Sequence, residues 1–131
     1  MATILVSAGT FFFTKKAERS AVWRSKKLAY YEEFFGAASG IVGDATPIEA
    51  KMRFATSVNN LHLVGSPGVI KSLHQFIDEI AVSNDNRTQS KHDELWSALV
   101  WEIRADLNDP PSKDPLTFSA RLWASGVGRN S

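Results

Sequence analysis

Cysteine is absent from this sequence, which removes disulfides, thiolate zinc sites and a cysteine nucleophile together and suits a reducing compartment. Net charge is almost absent too: 15 basic against 14 acidic residues leave +1, so no global field calls for nucleic acid, and no double-stranded nucleic acid is expected as a partner. No glycine-rich loop leads into a lysine in the pattern that cradles phosphate, and no Ser-His-Asp arrangement is legible from spacing. Long apolar runs are missing as well. Met1 to Phe13, MATILVSAGTFFF, carries no charge, but crossing a bilayer takes about 20 apolar residues. As a helix this segment reaches only about 20 Å, enough for one leaflet or for the end of a tilted span. A secretory signal is a poor reading, because the basic residues follow the apolar run instead of preceding it.

What is present is the composition of an ordinary globular domain: 131 residues, 44% apolar, 11% aromatic and 22% charged. A chain of this length buries roughly two thirds of its unfolded surface, so one domain with a real core is expected. The charge is unevenly placed. Lys15, Lys16, Arg19, Arg24, Lys26 and Lys27 face only Glu18, a window of +5, and the rest of the chain is at −4. An uncharged segment followed by basic residues matches the positive-inside order, with Lys15, Lys16 and Arg19 on the cytoplasmic side and able to touch anionic headgroups. The competing reading is a buried first turn or an edge strand of a soluble fold. It has to hide Phe11, Phe12 and Phe13, which point in three directions on a helix.

Apolar residues then recur in steps of three and four: Ala17, Ala21, Leu28, Tyr31, Phe35, Ala38 and Val42, with Arg24 as an interruption. A parallel line through Trp23, Tyr30, Phe34, Ala37 and Ile41 widens the stripe, so the spacing predicts one long, basic first helix ending near Ser39. Gly40 and Gly43 would supply left-handed conformations at its end. Thr46, Pro47, Ile48 and Glu49 read as a capping box opening a second helix, buried through Met52, Ala55, Val58 and Leu61 and stopped by Gly65. Ser66 and Pro67 open a third, with Val69, Ile70, Leu73, Phe76, Ile77 and Ile80 on its inner face. The polar stretch 83–90, SNDNRTQS, is a loop. A fourth helix, capped by Ser90 or a neighbour, turns Trp96, Leu99, Val100, Ile103 and Leu107 inward and ends at Asn108 to Pro111. Asp114 and Pro115 open a short segment whose Leu116, Phe118, Leu122 and Trp123 are placed to dock.

The expected fold is therefore all-α: an antiparallel bundle of about four helices with a long basic first helix and a short C-terminal docking segment. Residues 1–13 form an apolar membrane-proximal segment, 14–125 the bundle domain and 126–131 a flexible tail.

Chemical signals are sparse. His62, His74 and His92 are the only histidines, and His92 with Asp93 invites comparison with HD-type metal-dependent phosphohydrolases. Such a site needs several converging ligands, whereas His62 and His74 fall on different predicted helices and Asp106 is the only later acid of the fourth helix within plausible reach. The pair equally suits an exposed first helical turn, where the dipole alone favours an acid. Arg19, Trp23, Arg24 and Lys27 combine cations with an aromatic face and could read a phosphate-bearing ligand such as a nucleotide. A solvated, lipid-facing surface fits the same residues. No cofactor is expected.

Through AERSAVWRSKKLAYYEEFF, NNLHLVGSPGVIKSLHQFIDEI and KHDELWSALVWEIRADL the chain resembles a loose group of uncharacterised small bacterial proteins with an N-terminal membrane helix and a helical cytosolic domain. The likeness covers most of the chain and carries no catalytic residue. The apolar segment of those proteins is usually longer than Met1 to Phe13. In layout, though not in motif, the chain is also similar to small membrane effectors of bacterial antiviral defence, whose cytosolic domain senses a cyclic oligonucleotide.

These readings lead to a membrane-associated binding module without catalytic activity, at the cytoplasmic face of the membrane or in the cytoplasm. The alternatives are a nucleotide-sensing domain and an HD-like hydrolase. A first helix longer than its partners leaves apolar surface uncovered, so Phe11, Phe12, Phe13, Lys15, Lys16, Ala17 and Ala21 are the expected membrane or homo-oligomer contacts. Small Ala17 and Ala21 would permit close helix approach.

Overall fold

A computed structural model describes the backbone of residues 2–43 and 46–123 and the side chains of 18–43 and 46–123. The described residues form four helices: α1 (Ala2–Ser39), α2 (Ile48–Val64), α3 (Pro67–Ile80) and α4 (Gln89–Asp106). A single 3-10 turn, Pro115–Thr117, follows. The expected all-helical bundle is the fold.

Close backbone approach is extensive within two pairs, α1 with α2 and α3 with α4, and slight between α2 and α3. Small residues permit the first approach. A Cβ added at Gly36 would lie 2.8 Å from the Arg53 guanidinium, and one at Gly40 would lie 3.8 Å from the Ala50 methyl. The two pairs then meet across large rings. Trp96 of α4 stacks on Phe34 at 6.1 Å and meets Phe35 edge-on at 5.3 Å. The Phe76 ring of α3 tilts against Trp96 at 5.2 Å, and Phe54 of α2 closes against Phe34 at 5.9 Å. Such pairs favour offset or edge-to-face geometry and add about 0.5–1.5 kcal/mol each beyond the area they bury. Tyr31, Leu61, Val69, Leu73, Leu99 and Ile103 complete the core.

The ends of the helices follow the sequence in part. Ser66 accepts the Val69 N–H at 3.2 Å ahead of Pro67, and Thr88 accepts the Lys91 N–H at 3.0 Å, so the neighbour of Ser90 that caps α4 is Thr88. Asn108, at φ 62°, takes the left-handed position after α4. There the Asn108 and Asp109 amides return to the carbonyls of Ala105 (3.0 Å) and Arg104 (2.8 Å), a Schellman closure with asparagine in the usual place of glycine.

Other expectations fail for local reasons. The capping box at Thr46 does not form: α2 begins at Ile48 without a side-chain cap, and the Thr46 hydroxyl turns back toward the Ile41 and Gly43 carbonyls. Gly40 is not left-handed. Its N–H closes a tight i to i−3 turn on Ala37 at 3.1 Å, and only Gly43, at φ 110°, needs the freedom of glycine. The inner face of α2 is rotated from the expected one. Met52 and Ala55 face solvent, while Phe54, Ser57, Val58, Leu61 and Val64 turn inward. Leu28 and Val42 of the expected α1 stripe are exposed.

The C-terminal segment docks through polar as well as apolar atoms. The Ser97 hydroxyl accepts the Ala120 N–H at 2.8 Å, and the Trp101 indole donates to the Ser112 carbonyl at 3.1 Å. Leu122 and Phe118 are partly buried, but Leu116 is 92% exposed and Trp123 more than half exposed.

Candidate interaction surface and polar clusters

The site is set by how far α1 outruns the bundle. At 1.5 Å per residue, its 38 residues extend about 57 Å, against about 27 Å for the 18 residues of α4. Phe34 and Phe35 sit beside Trp96, and Lys27 beside Asp106, so α4 runs antiparallel to α1 and ends level with Lys27. All described side chains of α1 before Lys27 are exposed. Val22 is 69% and Trp23 45% accessible, and the two stand side by side among basic residues. Arg19, Val22, Trp23 and Lys26 are spaced three and four residues apart and share one helix face. Ala21 is exposed on another.

Lys27 is spent on the fold. Its ammonium pairs with Asp106 at 2.9 Å, with both side chains largely buried, and lies 5.5 Å from the centroid of the Trp23 ring. The Tyr31 hydroxyl donates to the other oxygen of Asp106. Burial first, and the bond to Asp106 second, push the Tyr31 phenol far above its ordinary value, so it remains a neutral donor. Asp106 is also the last residue of α4, where the negative dipole end welcomes a cation. The arrangement is a tie between α1 and α4. It takes Lys27 out of the phosphate-reading set; Arg19, Trp23 and Arg24 are exposed. On the α1–α2 flank, exposed Glu33 accepts from Arg53 at 2.8 Å, a bond that lowers the Glu33 carboxyl and raises the Arg53 guanidinium.

The side chains of Phe11, Phe12, Phe13, Lys15, Lys16 and Ala17, and the tail 126–131, lie outside the described residues. No helix of the described residues is long and apolar enough to cross a membrane.

The histidines separate into two places. His92 touches Asp93 at 3.4 Å and packs edge-on against Phe76 at 5.2 Å. Asp106 lies 14 residues further along the same helix, about 21 Å away at 1.5 Å per residue, and no group of three or more histidine or carboxylate side chains able to hold a metal converges among the described residues. His62 and His74, by contrast, meet across α2 and α3 with Nε2 atoms 2.9 Å apart. Helical periodicity placed them on separate elements, and the crossing of α2 and α3 that joins them is a tertiary fact. A shallow groove lined by Gln75, Asp78, Glu79, Asn84, Lys91 and Leu95 lies between α3 and α4.

No protein-family model, curated protein or solved structure matches this chain.

Proposed function

We propose that this protein is a non-catalytic helical interaction module that works at a membrane surface, with the N-terminal half of α1 as its contact element. The observation that carries this reading is the run of α1 beyond the Lys27–Asp106 tie, with exposed Val22 and Trp23 set among Arg19, Arg24 and Lys26. Tryptophan favours the membrane–water boundary, where its ring is half apolar and half polar. Basic residues near an anionic leaflet contribute about 1 kcal/mol each, an attraction that salt screens. A helix surface that mixes basic and apolar side chains in this way can rest against lipid headgroups without spanning the bilayer. The uncharged residues Ala2 to Phe13 continue the same helix.

The test is co-sedimentation of the full chain with vesicles of phosphatidylcholine alone and of phosphatidylcholine mixed with phosphatidylserine, at low and high salt. Binding to the mixed vesicles that weakens at high salt, and weakens further in the Trp23→Ser/Lys26→Glu variant, is the expected result. Recovery of the wild type in the supernatant with both vesicle types at low salt overturns the reading. A stable oligomer in lipid-free buffer that ignores vesicles would do so as well, and would reassign this face to a second copy of the chain.

A further inference from the structure

The two histidines that meet across α2 and α3 form a cluster outside the surface described above. Nδ1 of His62 lies 3.0 Å from the Val58 carbonyl oxygen, which has only lone pairs to offer, so that nitrogen carries the ring hydrogen and Nε2 presents a lone pair outward. His74 supplies the hydrogen between the two Nε2 atoms, 2.9 Å apart. Both residues are exposed. An Nδ1–H held by a backbone carbonyl is the outer bond that metal-ligating histidines commonly make, and it fixes the lone pair of His62 on Nε2, where it now accepts from His74.

We infer that His62 and His74 are the two protein ligands of a site for a first-row divalent metal ion, such as Zn2+ or Ni2+, that ties α2 to α3. Metal–nitrogen bonds of about 2.0–2.1 Å put two imidazole nitrogens about 2.9 Å apart at a right angle and about 3.3 Å apart at the tetrahedral angle. The observed separation therefore needs little or no widening. The ring centroids are 5.2 Å apart, so the rings now point almost at one another. To bind, His62 keeps its bond to the Val58 carbonyl and the His74 side chain turns off the line between the two rings until both lone pairs converge on the ion. The hydrogen on Nε2 of His74 passes through solvent to its Nδ1, so a neutral pair takes up the metal with no net release of a proton. Imidazole selects borderline cations such as zinc and nickel over magnesium. With no third such side chain converging among the described residues, water fills the remaining positions. The two helices joined here are the adjacent pair with the least backbone contact, so a metal bridge adds a tie where the bundle has few.

Calorimetric titration and thermal melts of the full chain, prepared without a histidine tag, test this with Zn2+, Ni2+ and Mg2+. One ion per chain, a rise in Tm with Zn2+ or Ni2+ that EDTA reverses, and no response to Mg2+ are expected. His62→Gln or His74→Gln should each weaken binding about tenfold or more, while His92→Gln binds as the wild type does. Equal affinity in the wild type and the His62→Gln/His74→Gln variant overturns the proposal, as does a loss confined to His92→Gln. Should a variant fail to fold, substoichiometric Ni2+ added to the wild type gives the answer by NMR. Paramagnetic broadening of the His62 and His74 ring signals first supports the site, and broadening of His92 first refutes it.

Discussion

The two halves of α1 share one backbone and differ in almost everything else. From Lys27 to Ser39 the helix buries Tyr31, Phe34, Ala37 and Ala38, and two of its charges are tied within the fold: Lys27 on Asp106 and Glu33 on Arg53. From Glu18 to Lys26 every side chain is exposed, the large apolar ones included. Helix propensity does not distinguish these halves. Cover does, because the partner helices are shorter. The packed half carries the stability of the molecule, and the projecting half is available for contact.

The largest expected effect lies in the packed half. Phe34→Ala removes a fully buried ring that touches Phe35, Phe54 and Trp96, and should cost about 3–5 kcal/mol, read as a lower denaturant midpoint. A near-wild-type midpoint would mean that the two helix pairs are not held together by the aromatic layer. Next comes the tie at the border of the halves. Asp106→Ala leaves the Lys27 ammonium and the Tyr31 hydroxyl without their acceptor. Because Lys27 retains 13% side-chain exposure and can shift toward solvent, the loss should fall at or below the lower end of the about 3–5 kcal/mol typical of a broken buried pair. The Lys27→Met/Asp106→Leu double change should recover much of it, which would separate a desolvated charge pair from simple packing.

A smaller effect has a definite pH signature. Tyr31 stays protonated in the fold, its phenol raised by burial and by Asp106, whereas in the unfolded chain it ionises near its ordinary value of about 10. Its stabilising contribution is therefore fully present below about pH 10 and is lost as pH climbs from there toward the folded value. The advantage of the wild type over Tyr31→Phe should shrink by about 1.4 kcal/mol per pH unit above 10. A constant difference between pH 8 and 11 would contradict the buried donor.

Much of this architecture is legible in the sequence because it is local. The Ser66–Pro67 start and the apolar face of α3 are carried by neighbours within a turn or two, and both appear in the structure. The α2 face is displaced because Phe54 is drawn to the Phe34 ring, a tertiary attraction that no helical period encodes. The Thr46 cap is lost because the chain leaving α1 gives its hydroxyl other partners in Ile41 and Gly43. The same holds for the polar clusters. Lys27 and Asp106 are 79 residues apart, and His62 and His74 lie on different helices, so each pair exists only once the helices cross. The unequal length of α1, on the other hand, follows from counting residues, and with it the projecting surface.

The smallest expected effect on stability is in that projecting half, and its smallness is the point. Val22 is 69% accessible and lies more than a turn beyond the Lys27–Asp106 tie. Replacing it with serine removes apolar surface that the fold never buried, so no transfer or cavity cost arises, and the change should stay within about 0.5 kcal/mol, as surface substitutions do. Serine and valine have nearly equal helix propensity, which leaves the helix itself intact. Leu61→Ala, fully buried on α2, provides the contrast at about 2–5 kcal/mol. If the projecting half is a contact element, Val22→Ser should lower vesicle binding while leaving the melt unchanged. A Val22→Ser protein that melts several degrees below the wild type in lipid-free buffer would show instead that the residue is covered in solution, and the contrast between the two halves of α1 would have to be redrawn.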